Sequence, residues 1–384
     1  MNGQHVVLQP DTGYGPEKDK QTSSGSPLRD AVEVGADVVL LGSFDNRTNT
    51  ATARTVLLRD DWDRRLIGLG VIDRVVFAGP EPVFQADGYQ IRITPSTETA
   101  FHGEVKTLAD VGTNTWLRYE GRRDKDGALL ASKAGFLPGK TIKIKAVAGV
   151  ESVDMQLEEP DFAGHKDGRV KIAWMSGWRK IPADRDLQER IKRAALSVIP
   201  AYQRAMADDD AFKIRFRFYA IDDDRLRSEV CSVQGELILV PRQVMERVKN
   251  DSQLAAVLAD GVAYALQRQG VRRITEEHVR LGEEAAGAAL VAFAPGVAMV
   301  LAADGATPRQ GENVLLEEQR GRSGLALLAD GGYDPWEAPE AWRLLAPKHL
   351  PNDLGSLKYP DRSGYQLGIL NLQYKRNRAV AATR

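Results

Sequence analysis

Hydrophobic and polar residues alternate in short runs over residues 1–137, and the period changes further along the chain. The first region is rich in Val, Thr, Gly and Asp, with turn residues between the runs, which predicts an all-β portion. Further on, the stretch from Phe212 to Tyr219 alternates cleanly and predicts one more strand. Residues 185–206 predict a helix, and residues 235–250 predict a short β run followed by a helix. The stretch 251–269 has Leu254, Val257, Leu258, Gly261 and Ala265 on one helical face. Asp251 or Ser252 is placed to cap its start, and Gly270 follows its end. The expected fold class is α+β, with two small N-terminal β-barrels followed by a mainly helical domain carrying a small sheet.

The β region repeats itself. His5-Val6-Val7-Leu8-Gln9-Pro10-Asp11-Thr12 parallels Gln90-Ile91-Arg92-Ile93-Thr94-Pro95-Ser96-Thr97. Residues 34–45 likewise parallel 111–122, and each copy closes on an alanine-containing run, 52–58 and 130–136. The reading is two β-barrel modules, 1–60 and 61–138, of the size usual for small domains. They resemble the OB-like modules of bacterial exported proteins. Copy two opens with a hairpin from Gly70 to Gly88, where copy one has only Asn2-Gly3. The expectation is therefore that the first barrel is N-terminally incomplete and that the natural chain starts upstream of Met1. Residues 139–182, opening on Pro138-Gly139-Lys140, read as a linker with strands, one of them the lysine-alternating run 141–147.

Composition narrows the function classes. The chain has 384 residues, 43% of them hydrophobic and 27% charged, with a net charge of −1, as expected of a globular protein. A near-neutral balance without a basic, aromatic-lined stripe argues against nucleic acid as a partner. One cysteine, Cys231, excludes an internal disulfide. No signal peptide is legible at Met1. Localisation stays open between the periplasm or cell exterior, if a signal peptide precedes Met1, and the cytoplasm. The apolar run 285–303 is broken by Pro295-Gly296. It reads as a buried helical hairpin, with a membrane contact as the lesser alternative.

The order of helix, strand, strand and helix leading into Ser252-Gln253-Leu254-Ala255-Ala256-Val257-Leu258-Ala259 resembles the HtpX-type zinc metallopeptidases, relatives of the CaaX prenyl proteases. The resemblance covers 183–372. It implies a gluzincin-like domain over 183–384, with a His-Glu-x-x-His helix and a third, glutamate ligand further on. In such a motif two histidines four residues apart share one helix face and one zinc ion, and the Glu deprotonates the bound water. Here the first histidine falls on Asp260, the Glu on Gly261 and the second histidine on Tyr264. Anchoring on Gly324-Leu325 and Gly332-Tyr333-Asp334-Pro335 puts the third ligand on Gln319, and a later histidine on Tyr359. Glycine has no base to offer, tyrosine is protonated at neutral pH, and a neutral amide is a weak zinc ligand.

The resemblance thus implies a pseudopeptidase: no zinc, no catalytic residue, and a degenerate motif on a surviving frame. Asp260, Tyr264, Gln319 and Tyr359 are the residues expected to line a peptide-binding cleft, with a protein or peptide as partner. Two alternatives stand beside this one. The first is an active metalloendopeptidase using other ligands, for which Asp260, His278, Glu317 and Glu318 are the available oxygen and nitrogen donors. The second is a structural, envelope-associated protein. His165 in a polar loop, Asp222-Asp223-Asp224 in a charged turn and Gly139-Lys140-Thr141 carry no recognisable site chemistry.

Overall fold

The computed structural model describes residues 5–16, 21–30, 32, 38–45, 50–58, 66–124, 128–139, 155–172, 177–210, 212–223, 231–233, 236–269, 308–345 and 360–373. It is a mixed α+β protein with a β-barrel in the N-terminal part and helices in the C-terminal part. The run 141–147, the apolar run 285–303, His278, Tyr359 and the Cys231 side chain lie outside the described residues. No helix among the described residues is long and apolar enough to cross a membrane.

Strands β4 (Leu66–Phe77), β5 (Val83–Ala86), β6 (Tyr89–Arg92), β8 (Trp116–Arg123) and β9 (Leu129–Leu137) close on themselves in the order β4-β5-β6-β9-β8. All their pairings are antiparallel except β6 with β9. Strand β7 (Glu98–Phe101) continues the line of β6 along β9, also parallel. The alternation read in the sequence puts Ile72, Phe84, Ile91, Ile93, Leu117, Leu129 and Phe136 in the interior. Phe136 meets Phe84 edge-on at 5.8 Å and stacks on Phe101 at 5.5 Å.

Of the two expected barrels, only this one closes among the described residues. The first module is a three-stranded sheet, β1 (His5–Pro16), β2 (Val38–Asp45) and β3 (Thr50–Leu58), in the order β1-β3-β2. Its β1–β3 pairing is parallel and its β2–β3 pairing antiparallel. These strands repeat the β6/β7-β9-β8 portion of the second module residue for residue. Val6 and Val7 face Ala51 and Thr52 as Ile91 and Arg92 face Leu129 and Leu130. The Thr12 hydroxyl donates to the Ala53 carbonyl at 2.9 Å, as Thr97 does to Ala131 at 2.8 Å. The backbone register corrects one part of the sequence comparison. It sets Gly42 against Gly121, two residues from the alignment of 34–45 with 111–122. Both glycines sit where the register with the neighbouring strand shifts, opposite Ala53 and Ala131. A Cβ would lie 2.0 Å from the Thr52 carbonyl oxygen at Gly42 and 2.3 Å from that of Leu130 at Gly121.

The remaining strands form an antiparallel meander, β10 (Met155–Glu158), β11 (Gly168–Ile172) and β12 (Arg179–Ile181), and a sheet of β13 (Arg217–Ile221), β14 (Cys231–Val233) and β15 (Leu237–Pro241) in the order β13-β15-β14. The predicted strand 212–219 is displaced to β13. Gln203 accounts for the shift: its side chain accepts from the Ile214 N–H at 3.0 Å and donates to the Phe212 carbonyl at 3.1 Å, taking up groups a strand ladder would use. The predicted helix 185–206 is two helices, α1 (Arg185–Val198) and α2 (Ala201–Ala205). Pro200 lies between them and has no N–H to continue the first.

Helix α3 (Arg242–Arg247) leads into α4 (Asp251–Leu266), the helix around which the C-terminal part packs. Its cap is Asn250, one residue before the expected position, with Oδ1 accepting from the Gln253 N–H at 2.8 Å. It ends at Leu266, three residues short of the expected Gln269, where Arg268 takes a left-handed φ of 50°. The expected single apolar face is too modest a description. Every residue from Gln253 to Leu266 except Tyr264 is buried. Helices α5 (Pro308–Asp330), α6 (Glu337–Leu345) and α7 (Pro360–Gln373), together with α1 and β15, build the core around it.

Candidate functional site

Asp260 lies in the third turn of α4, buried between α5 and α7. Arg320 Nε lies 3.0 Å from its Oδ2, and Arg362 Nη1 lies 3.7 Å from its Oδ1. The Arg362 guanidinium in turn covers the Trp342 ring of α6, 4.3 Å from the centroid. The carboxylate therefore ties α5 and α7 to α4, and Arg362 brings in α6. The desolvation cost of a buried carboxylate is offset here by two cations, and removing both would leave an uncompensated charge. Gly324 of α5 packs against this turn: a Cβ there would sit 3.5 Å from the Asp260 nitrogen, an ordinary van der Waals contact.

The neighbouring position faces elsewhere. A Cβ on Gly261 would meet Ile238 of β15 at 3.2 Å, and Ile238 is fully buried. A side chain at 261 thus runs into the sheet's apolar centre, away from the two arginines. Tyr264, one turn on from Asp260, is half-buried. Gln319 of α5 is buried, but its amide serves the barrel: Nε2 donates to the Leu69 carbonyl of β4 at 2.8 Å, and Oε1 accepts from Gln269 Nε2 at 3.2 Å. Of the four residues expected to share a cleft, Asp260 joins Arg320 and Arg362, Gln319 joins β4, and Tyr359 lies outside the described residues.

The face of α5 that carries Gln319 is the docking face for the barrel. Along β4, pairing with β5 begins only at Ile72, so Leu69 and Val71 present backbone groups on an edge that no strand among the described residues covers. Gln267 takes one part of that edge, accepting from the Val71 N–H at 2.9 Å and donating to the Val71 carbonyl at 3.2 Å, and Gln319 takes the Leu69 carbonyl. Beside them the β5–β6 turn, Asp87-Gly88, presses onto α5. Both residues have positive φ, 55° and 71°, as a tight two-residue hairpin requires. A Cβ on Gly88 would lie 2.5 Å from the Arg322 backbone carbon.

Arg322 then closes the junction. It donates to the Asp87 carbonyl at 3.1 Å, to Asp87 Oδ1 at 2.5 Å and to the Tyr365 hydroxyl at 2.5 Å, and lies 4.8 Å from the Tyr89 ring centroid. Tyr119 donates to the other Asp87 oxygen at 2.5 Å. Burial pulls the Arg322 pKa down, but Asp87 and the surrounding tyrosines outweigh it and hold the guanidinium charged. Burial, then Asp87, pushes the Tyr119 phenol far above its ordinary value, so it stays a donor.

Sequence reasoning missed Arg320, Arg362, Gln267, Arg322 and Asp87. The hairpin read over Gly70 to Gly88 ends on the Asp87-Gly88 turn, whose partner on α5 lies 235 residues away. No family model and no curated relative matches the chain.

Proposed function

We propose that the chain is a non-catalytic scaffold of metallopeptidase-like design, an HtpX-like frame over 183–384, whose role is protein or peptide binding in an assembly. The observation that carries this reading is the double guanidinium engagement of Asp260. At the position where the resemblance puts the first zinc ligand, the side chain is committed to Arg320 and Arg362. Two cations beside that point would repel a metal ion. The donor set does not fit zinc: among the described residues no three of His, Cys, Asp and Glu are gathered to hold a metal. Position 261 faces Ile238, and Gln319 is spent on the barrel, so neither a base nor a third ligand would reach the same point.

The barrel's closure order, with β6–β9 as its one parallel ring pairing, supports reading residues 61–138 as an OB-like module. Its Asp87-Gly88 turn and β4 edge are taken up by α5 and Gln267, so the module serves here as a structural partner of the helices.

Metal analysis and protein cleavage test the reading. The purified chain is expected to hold no stoichiometric zinc and to leave casein intact. A variant carrying Asp260→His, Gly261→Glu, Tyr264→His and Gln319→Glu is expected to gain none while Arg320 and Arg362 remain. Chelator-sensitive cleavage by the unaltered chain would overturn the proposal. A peptide-array comparison with Tyr264→Ala tests the cleft, because equal binding by both chains would remove it from the reading.

A further inference from the structure

The barrel meets the helices at a further point, where a cation and a hydrogen-bond donor stand side by side without an anion. Arg268 lies in the left-handed turn that ends α4. Its guanidinium is 5.7 Å from the ring centroid of Trp116 on β8 and 5.3 Å from that of Phe212. Nη1 donates to the Gly139 carbonyl at 3.0 Å; among the described residues that is its one acceptor, and no carboxylate pairs with it. Burial pulls the Arg268 pKa down, and the group opposing it is the Tyr202 phenol of α2. Burial and then Asp73 push that phenol well above its ordinary value, so at neutral pH it brings the arginine no negative charge. Trp116 is 1% exposed, and its indole Nε1 is buried with no hydrogen-bond partner among the described residues. Such an orphaned donor is uncommon in a native structure and asks for a reason. A water molecule would serve the indole and leave the charge of Arg268 uncompensated, whereas an oxyanion would serve both.

We infer that this junction binds a carboxylate carried on an apolar body, held by the Arg268 guanidinium and the Trp116 indole N–H. A guanidinium presents its N–H groups as a fork that matches a carboxylate, and a charge-assisted bond of this kind is among the stronger ones. One uncompensated cation balances one negative charge; a phosphate dianion would bring a second into surroundings that penalise it. Those surroundings are apolar, since Trp116 packs with Leu69, Val71 and Leu137 in one buried cluster. Arg268 and Phe212 are only half-buried, so the guanidinium can be reached. The carboxylate can belong to a small free acid or to the C-terminus of a polypeptide, which share this chemistry. The inference is independent of the metallopeptidase-like reading, because Asp260, Tyr264 and Gln319 take no part in it.

The test follows the indole N–H proton resonance of Trp116 in the full chain, assigned by its loss in Trp116→Phe. Phenylacetate should move that resonance saturably, and so should a tetrapeptide ending in phenylalanine with a free C-terminus. Phenylacetamide and the C-terminally amidated peptide, at the same concentrations, should leave it in place. Arg268→Gln should weaken binding of the acids by about tenfold or more. Tighter binding of the peptide acid would assign the site to chain termini and tighter binding of phenylacetate to free acids; either supports the inference. A resonance unmoved by both acids, an equal shift with the amides, or unchanged affinity in Arg268→Gln would each overturn it. The amide controls leave the protein untouched, so the outcome does not depend on the variant chain folding.

Discussion

Two carboxylates of the barrel are buried against the helices, and they are treated in opposite ways. Asp87 sits in the hairpin turn with every side saturated: Arg322 on one oxygen, Tyr119 on the other. Asp73, on β4, is 4% exposed, and against its burial stand only the nearby charge of Arg74, its own backbone N–H and the Gln85 side chain. Its surroundings include Asp330 and Arg74, which pair with each other at 2.9 Å, and Gln85, which accepts from Arg74. Burial, and then the charge of Asp330, hold the Asp73 carboxyl well above its ordinary range, with Arg74 and Gln85 opposing too weakly to restore it. One site is a completed charge pair that locks two parts of the fold. The other is an acid whose proton folding holds more tightly. Equal burial thus says little about a charged residue until its partners are counted.

The comparison can be broken first at its strong side. Arg322→Met leaves Asp87 buried beside two tyrosines without its cation, and should cost about 3–5 kcal/mol in urea unfolding. Adding Asp87→Asn should recover part of that loss, which a merely steric defect would not allow. Gly88→Ala comes next. It places a Cβ against the Arg322 backbone at a positive φ, and overpacking of this kind should cost about 1–3 kcal/mol, with the barrel and helices then melting in separate transitions. Gln267→Ala strips the buried Val71 N–H and carbonyl of their partner and should cost about 1–3 kcal/mol, with faster amide exchange at Val71 as the specific sign.

The weak side gives the smallest effect and the opposite sign. Because the folded-state pKa of Asp73 is raised, the folded chain binds a proton more tightly than the unfolded one. Its contribution is therefore fully present below the ordinary carboxylate value near about 4 and lost as pH rises through the raised value. Asp73→Asn should stabilise the protein at neutral pH by about 1 kcal/mol, a rise of a few degrees in Tm, and the gain should fade as the pH falls towards about 4. A gain that persists unchanged at acid pH would show that ionisation of Asp73 is not the cause.

How much was legible differs from one residue to the next. The threonine turn of the repeat, Thr12 and Thr97, could be aligned from the chain alone because both copies keep the three-residue spacing at which the Gln9 and Thr94 N–H groups donate to the threonine hydroxyl oxygen. The glycine register of β2 could not, since Gly42 and Gly121 are matched by a backbone approach to β3 and β9 that no local pattern records. The central helix was legible by its period, yet its cap was misplaced by one residue because Asn250, Asp251 and Ser252 are all competent caps. The candidate site fared worst. Asp260 and Gln319 were singled out through a resemblance to a metal motif, and nothing local says that the first meets two arginines and the second meets a barrel strand 250 residues earlier in the chain.

What the sequence determined by itself is local: which segments alternate, which turn at 3.6 residues, and that one β module repeats another. These follow from backbone sterics and side-chain period, which act over a few residues. Only the tertiary structure decided which buried charges are paired, which strand edge is capped by Gln267 and Gln319, and which of two like modules is closed. Those outcomes depend on groups far apart in the chain meeting out of water, where one missing partner changes the sign of an interaction.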